Sequence, residues 1–562
     1  MHSIIFLYVL VLVPFTVSIW PIPRQLSTGS TPLKLSKSFN VVVNMHSTPQ
    51  DLLDAVARSE SGLKSDSFER LVVGRGSADS TAVHRALSLD ALVLSLDSGR
   101  LIRSVADEAT VSIASRSESY TLSIPARGQA RLVANSTLGL FRGLATFEQL
   151  WYTLDGDKYL LNAPIEIADE PAFPYRSFSL DTARNFYPVD DILRTLDAMS
   201  WVKMSVLYWH VADSQSFPLE VPGFPELAAK GAYSKEEMYS VNDVELIIQY
   251  ANTRGIDVVM ELDTPGHTTA VGFAHPEHVA CAGKSPWAKY ANEPPAGQLR
   301  IASNATVEFV KRVFQSVLTM MTSTMMSTGG DEVNLPCWEE DEETIDVLNK
   351  RNIAIGEALN EFVVAIQGVL KANKITPFIK GDMILTHNVP VTNDTVAVVW
   401  QSSADAAGIA ERGLRFIHQP SNYFYLDCGA GDWVGNNILG NSWCDPFKTW
   451  QRAYSFDPYA NLTEAQFPLV LGGQMPLWSE QSSSENLDSI VWPRLAVAAE
   501  VFWTGGTLPD GTSRLANNVT GGRAAFSRLN ELRYRLVDRG VKAIALQPKW
   551  CVLRPGECDV DA

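Results

Sequence analysis

Apolar residues recur along this chain in two rhythms, and the change between them falls at the stretch from Pro171 to Pro174. Ahead of it, Tyr120–Ile124 alternates apolar and polar positions as a half-buried strand does, and shorter strand-like runs occur at Phe39–Val43, Leu71–Val73 and Ala91–Leu96. Between Gly139 and Tyr152 the spacing becomes helical: Leu140, Leu144, Phe147, Leu150 and Trp151 share one face, which predicts a helix packed on a sheet. Together these predict a small α+β domain over residues 19–171 with no evident chemistry of its own.

From Pro174 onward, strand, polar loop and helix follow one another repeatedly, the texture of parallel β/α units. The strand runs end near Asp181, Tyr208, Leu262, Thr328, Ile379, Trp400, Tyr425 and Leu477. Helical runs such as Asp190–Val202, Val244–Arg254, Ile353–Ala372 and Asp488–Val501 lie between several of them. This predicts a (β/α)8 TIM barrel over residues 172–562, an α/β fold, and without a Gly-x-Gly-x-x-Gly loop an open dinucleotide-binding sheet is disfavoured.

Composition narrows the function. A chain of 562 residues that is 46% hydrophobic can bury a large core, while 63 acidic against 46 basic residues give a formal charge of −17, which disfavours nucleic acid and anionic membranes as partners. The apolar stretch from Ile4 to Val17 is short for a membrane span and ends among small residues, so residues 1–18 read as a signal peptide, with an uncleaved anchor as the alternative. No membrane association is expected after cleavage. Six cysteines suit an oxidising compartment; fifteen pairings are possible, and chain order favours Cys281 with Cys337, Cys428 with Cys444 and Cys551 with Cys558. Sequons at Asn135, Asn304, Asn393, Asn461 and Asn518 fit a glycosylated surface.

A barrel carries its active site at the C-terminal ends of its strands, and polar or aromatic residues cluster at each predicted end. They are Asp181 and Arg184; Trp209, His210 and Asp213; Glu261, Asp263 and His267; Asp331 and Glu332; Lys380 and Asp382; Trp400; Tyr425 and Asp427; Trp478 and Glu480. The most concentrated is Ser327-Thr-Gly-Gly-Asp331-Glu332, where two glycines permit close approach and two adjacent carboxylates follow; on an extended segment these would point to opposite sides and serve two atoms of one ligand. No His-Glu-x-x-His helix and no Gly-x-Ser-x-Gly elbow occur, so neither a metal or other cofactor nor a serine nucleophile is expected. Carboxylates, tryptophans and an arginine in an acidic barrel describe a sugar site, and glycoside hydrolysis is the leading chemistry.

These residues also resemble the β-N-acetylhexosaminidases of glycoside hydrolase family twenty, secreted fungal members in particular, over nearly the whole mature chain. The motifs are Leu180 to Phe186, Trp209 to Asp213, Glu261 to His267, Gly329 to Val333, Tyr425 to Gly429 and Leu477 to Glu480, with Tyr120–Leu122 and Phe141–Leu150 in the first domain. The resemblance implies exo-acting, retaining, substrate-assisted hydrolysis of terminal β-linked N-acetylhexosamine (GlcNAc or GalNAc) from chitin oligomers or glycoconjugates, with the sugar's acetamido oxygen as nucleophile. It implies Glu332 as general acid and base, Asp331 on the acetamido N–H, and Tyr425 on the acetamido oxygen. Asp213 and His267 would tune the acid; Arg184, Asp427 and Glu480 would bind hydroxyls; Trp400 and Trp478 would box the sugar. Neighbouring carboxylates would raise the acid's pKa. A homodimer is a further expectation.

One residue departs from the pattern. Lys380 occupies the position of a third pocket tryptophan, in Phe378-Ile-Lys-Gly-Asp382. Pointing inward, its ammonium would lie near the developing cation and slow turnover, even to a weakly active or non-catalytic sugar-binding homologue; leaning away, it would pair with a carboxylate, for which Asp382 is one candidate.

Overall fold

The computed structural model describes residues 17–515 and 520–560; the predicted signal peptide lies almost wholly outside them, as does the sequon at Asn518. The first part of the chain forms a six-stranded mixed sheet of β1 (Gln25–Val43), β2 (Leu87–Leu96), β3 (Tyr120–Ile124), β4 (Ala130–Ala134), β5 (Tyr152–Leu154) and β6 (Asp157–Asp169). Its order is β1-β2-β4-β3-β6-β5, and the long β1 also pairs antiparallel with β6. The helix expected here runs Thr137–Glu148, capped by the Ser136 side chain, and buries Leu138, Leu140, Leu144 and Phe147 in the same core as Leu122 and Leu132. Leu71–Val73 is not a strand but part of a turn, where Gly74 and Gly76 take positive φ.

The second part closes a barrel of eight parallel strands: β7 (Tyr175–Asp181), β8 (Val206–Ala212), β9 (Asp257–Leu262), β12 (Met325–Ser327), β13 (Thr376–Lys380), β14 (Val396–Val399), β15 (Arg415–His418) and β16 (Val470–Leu477). A two-strand ladder, β10 (Val279–Ala280) with β11 (Gln298–Leu299), lies in the connection after β9. The eight expected strands are therefore present, with one correction. Tyr425 does not end the seventh barrel strand; β15 stops at His418 ahead of Pro420, and Tyr425 follows in the loop. The aromatic run Tyr423–Tyr425 has strand propensity without strand pairing. The predicted helix Asp488–Val501 is likewise two, Leu487–Val491 and Arg494–Thr504, split at Pro493.

Two-residue periodicity decides what faces the barrel axis. Tyr175, Val206, Tyr208, Val259, Met325, Phe378, Val396, Val398 and Ile417 form the interior cluster. Counting on by two from these puts His210, Glu261, Ser327, Lys380 and Trp400 on the inner side of the C-terminal rim. Register agrees: Asp181 pairs with His210, His210 with Glu261, and Glu261 with Ser327. Trp209, one residue out of phase, faces the surrounding helices, where its ring packs edge-on to Tyr239 and its Nε1 donates to Thr182. It takes no part in the rim cluster.

At the opposite end, buried charges couple the sheet to the barrel. Glu118 accepts from Arg142 Nε at 2.8 Å and from Arg176 Nη2 at 2.6 Å; Arg142 also donates to the Gly255 carbonyl at 2.6 Å. Burial alone would raise the Glu118 carboxyl, but Arg176, Arg142 and Arg116 hold it down at about 2. Three disulfides, Cys281–Cys337, Cys428–Cys444 and Cys551–Cys558, are those favoured by chain order. No single described helix is long and apolar enough to cross a membrane.

Because Glu118 is depressed in the folded state, its contribution is present above the unfolded carboxylate pKa and is lost as pH falls toward about 2. Glu118→Gln should therefore cost about 3–5 kcal/mol near pH 7, as breaking one side of a buried ion cluster does. The difference in thermal midpoint from wild type should narrow below pH 4. Equal midpoints at pH 7 would remove Glu118 from the coupling of sheet to barrel.

Candidate active site

The turn after β12 is shaped by three residues with positive φ: Gly329 at 64°, Gly330 at 105° and Glu332 at 57°. A Cβ on Gly329 would lie 2.0 Å from Asp263 Oδ1, so the turn can close on that carboxylate only through glycine. Asp263 Oδ1 in turn accepts from Gly330 N at 2.8 Å. The two acids do diverge, but not by the alternation of an extended segment: the strand has ended at Ser327, and the left-handed turn at Glu332 separates them. Asp331 turns inward and is 6% exposed, whereas the Glu332 side chain is 28% exposed and lies 3.4 Å from His267 Nε2.

Behind Glu332 stands a line of paired groups. His267 Nδ1 is 3.0 Å from Asp213 Oδ1; Asp213 Oδ2 is 2.8 Å from His210 Nε2; His210 Nδ1 is 2.7 Å from Glu261 Oε1. Glu261 is fully buried, and its Oε2 accepts from Tyr208 Oη and, at 2.6 Å, from Ser327 Oγ. Burial would lower the His210 pKa, but hydrogen bonds to Asp213 and Glu261 raise it to about 9. His267 is also raised well above the usual histidine value, burial being outweighed by Asp213 and Glu332. Clusters such as Asp213, His267 and Glu293 have the spacing of metal ligands. Both nitrogens of His210 and of His267 face carboxylates, however, which is the environment of an imidazolium rather than of a neutral ligand.

Lys380 points inward, as the alternation requires, and is 1% exposed. Its Nζ lies 3.2 Å from Asp331 Oδ2, 3.4 Å from Glu261 Oε1 and 5.0 Å from the Trp478 ring centroid. It does not pair with Asp382. That carboxylate begins the short helix Gly381–Leu385 rather than extending the strand, and it accepts from Glu332 N and Trp400 Nε1, each at 3.0 Å.

A cavity of about 310 Å³ opens above these groups, large enough for a sugar ring. Every residue singled out for the sugar lines it except Asp213, which lies one layer below: Asp331, Glu332, His267, Arg184, Tyr425 and Asp427 are there, with Trp400, Trp478 and Glu480. Arg184 is drawn in by carboxylates, 2.6 Å from Glu293, 3.0 Å from Asp213 and 3.2 Å from Asp181, with Trp478 stacked at 4.9 Å. Burial raises Asp427 to about 7 and pushes Glu480 well above the carboxylate range.

Several wall residues went unpredicted, and two of them hold predicted ones in place. Trp443 packs edge-on to Trp400 at 5.9 Å and to Tyr425 at 5.6 Å, and Glu293 anchors Arg184. Trp443 belongs to the loop closed by Cys428–Cys444, and that cysteine pair was its only signal in the sequence.

Comparison with known proteins places the chain in a family. Residues 173–506 match the family model described as glycosyl hydrolase family 20, catalytic domain, and residues 19–150 match one described as beta-acetyl hexosaminidase like. Beta-hexosaminidase 1 of Coccidioides posadasii is 34% identical over 477 residues, covering 79% of this chain and 78% of that one. A chitooligosaccharidolytic beta-N-acetylglucosaminidase of Bombyx mori is 35% identical over 461 residues, covering 78% and 74%. Among solved structures, a family 20 exo beta-N-acetylglucosaminidase of Vibrio harveyi superposes with a TM-score of 0.73 at 19% identity, covering 95% of this chain and 79% of that one, a likeness of fold. The chain belongs to glycosyl hydrolase family 20 and is a glycoside hydrolase.

The raised His210 gives the site a pH signature. A cation held above its unfolded pKa stabilises fully below about 6.5 and loses that contribution as pH rises through about 9. The thermal midpoint of the wild type should accordingly fall between pH 7 and pH 10, and by less in His210→Gln. Parallel curves for the two proteins would mean that His210 is not held as a cation.

Proposed function

We propose that this enzyme removes terminal, non-reducing β-linked N-acetylhexosamine residues by substrate-assisted, retaining hydrolysis, with chitin-type oligosaccharides as the leading substrate class. The carrying observation is the divergence of two adjacent carboxylates at one aromatic-walled cavity. Asp331 is buried with Oδ1 unpartnered by any described group, and Glu332 is half-exposed against His267. The names of the Bombyx mori and Vibrio harveyi relatives support the sugar and the exo mode. A sugar-binding homologue without turnover finds no support among relatives named hexosaminidases.

In this reading the acetamido oxygen of the substrate attacks C1 while Glu332 gives its proton to the departing oxygen. Asp331 Oδ1 accepts the acetamido N–H and balances the positive charge of the oxazolinium ring, and the Tyr425 hydroxyl donates to the acetamido oxygen. Glu332, now a carboxylate, takes a proton from the water that opens the ring, and the β configuration is restored. Arg184, Asp427 and Glu480 hold the sugar hydroxyls while Trp400 and Trp478 cover its faces. Asp213 and His267 support Glu332 from behind. Three disulfides support an enzyme of an oxidising, secretory compartment.

Two variants test the roles. Glu332→Gln should lose roughly 10²–10⁴-fold on an alkyl or oligosaccharide leaving group and much less on an activated aryl one, which departs without a proton. Asp331→Asn should lose roughly 10²–10³-fold on both, since the cation forms whatever leaves. Equal losses on both substrates for Glu332→Gln, or near wild-type rates for Asp331→Asn, would overturn the assignment.

A further inference from the structure

Four carboxyl groups crowd the inner side of the cavity floor. Asp331 comes from the turn after β12, Glu261 from β9, Asp263 from the loop after β9, and Asp382 from the helix after β13. They cannot all ionise in so dry a place. Among the described residues one lysine stands with them, Lys380, whose ammonium contacts Asp331 and Glu261 and neither Asp263 nor Asp382. Resting on the hydrolytic role proposed for Asp331, we propose that Lys380 is a positioning residue that fixes which carboxyl carries the negative charge. It holds Asp331, rather than Asp263 or Asp382, as the anion that meets the substrate's developing cation.

The contacts carry this. From Lys380 the ion pairs continue through Glu261, His210 and Asp213 to His267, which faces Glu332. Acidic and basic groups alternate along this path without a break, so each charge between its ends has an opposite neighbour on either side, and Asp331 at one end has Lys380. With a proton on Glu332, three anions and three cations remain, and the string is neutral. Without Lys380, the same protonation state would leave one buried negative charge in excess, with no cation beside Asp331.

The ionisable neighbours respond in the expected sense. Burial would raise Asp331, but Lys380 leads the groups that hold it far below the carboxylate range, with Asp263, His267 and His210 adding to it. Asp263 is pushed well above that range by burial and by the Asp331 charge. Asp382 is raised to about 6 by the same two causes. Lys380 is itself held cationic against burial by Asp331 first and Glu261 next. The expectation of repulsion toward the substrate's cation is thereby altered: the ammonium is spent on two carboxylates, and its net effect on the cavity is to keep Asp331 charged.

The test compares wild type, Lys380→Met and Lys380→Arg on p-nitrophenyl N-acetyl-β-glucosaminide from pH 3 to pH 9. An opposite charge at this distance lowers a carboxyl by about 1–3 pH units, so in Lys380→Met the acid limb of kcat should move up by about that much, and Lys380→Arg should restore it. Limbs that coincide for wild type and Lys380→Met overturn the proposal. A second readout needs no turnover. In Lys380→Met, Asp331 and Glu261 lose their ammonium and sit less far below their unfolded values, so less of the stability present above the unfolded carboxylate pKa remains. Its thermal midpoint should trail wild type increasingly from pH 2 to pH 5; a gap constant over that range overturns the proposal. Should Lys380→Met not fold, the double variant Lys380→Met with Glu261→Gln removes one anion with the cation and should show the same displaced acid limb. A wild type inert on this substrate would defeat the proposed function, while the thermal readout would still decide the role of Lys380.

Discussion

The active end of this barrel depends on one buried carboxylate. Glu261 has no exposure to water and is held by Tyr208, Ser327, His210 and Lys380, which come from β8, β12 and β13 on either side of its own strand. A charge in that position would cost several kcal/mol if unpaired. Its partners offset that cost only while the strands keep their register, so the barrel closure and the charge arrangement enforce each other. From Glu261 the two directions of the rim separate: through His210 and Asp213 toward the half-exposed Glu332, and through Lys380 toward the buried Asp331.

The turn that carries both acids shows how local backbone chemistry serves this arrangement. Gly329 has no room for a side chain against Asp263, and Gly330 presents its N–H to the same carboxylate. With Asp263 packed so closely and pushed well above the carboxylate range by burial and the Asp331 charge, the turn is held by its hydrogen bond rather than by another ion pair. Glu332 sits at a φ that costs a non-glycine residue about 1–3 kcal/mol, and Asp382 steadies it by accepting from its backbone N–H. The strain is what directs one carboxylate into the floor and its neighbour into the cleft.

Much of this could be read in the sequence, for identifiable reasons. Barrel strands buried on both faces are apolar runs that end in polar residues, so seven of the eight ends were located, and the rim residues followed from them. Tyr425 escaped because an aromatic run has the propensity of a strand wherever it occurs; only Pro420 and the pairing of Arg415–His418 with Val396–Val399 decide the matter. The partner of Lys380 was also missed. Continuing the strand two residues would bring Asp382 to the same face, but the chain turns into a helix at Gly381, and Asp382 is spent on Glu332 N and Trp400 instead. The inward direction of Lys380, by contrast, follows from Phe378 alone once that residue is known to fill the barrel.

What periodicity could not reach are groups carried by irregular loops. Glu293 fixes Arg184 from a connection without repeating pattern, and Trp443 reaches Trp400 and Tyr425 from the loop closed by Cys428–Cys444. Both act on residues that the strands position. A tryptophan is absent at position 380, yet the cavity retains aromatic surface from Trp400, Trp478, Tyr425 and Trp443, because a sugar face asks only for a flat apolar wall at the right distance and not for a particular strand to supply it. An ammonium beside Asp331, however, can come only from an inward position next to Glu261, and β13 provides it. The division of labour at this rim is therefore set by burial: loops can furnish the aromatic walls, while the paired charges beneath them must stand on strands.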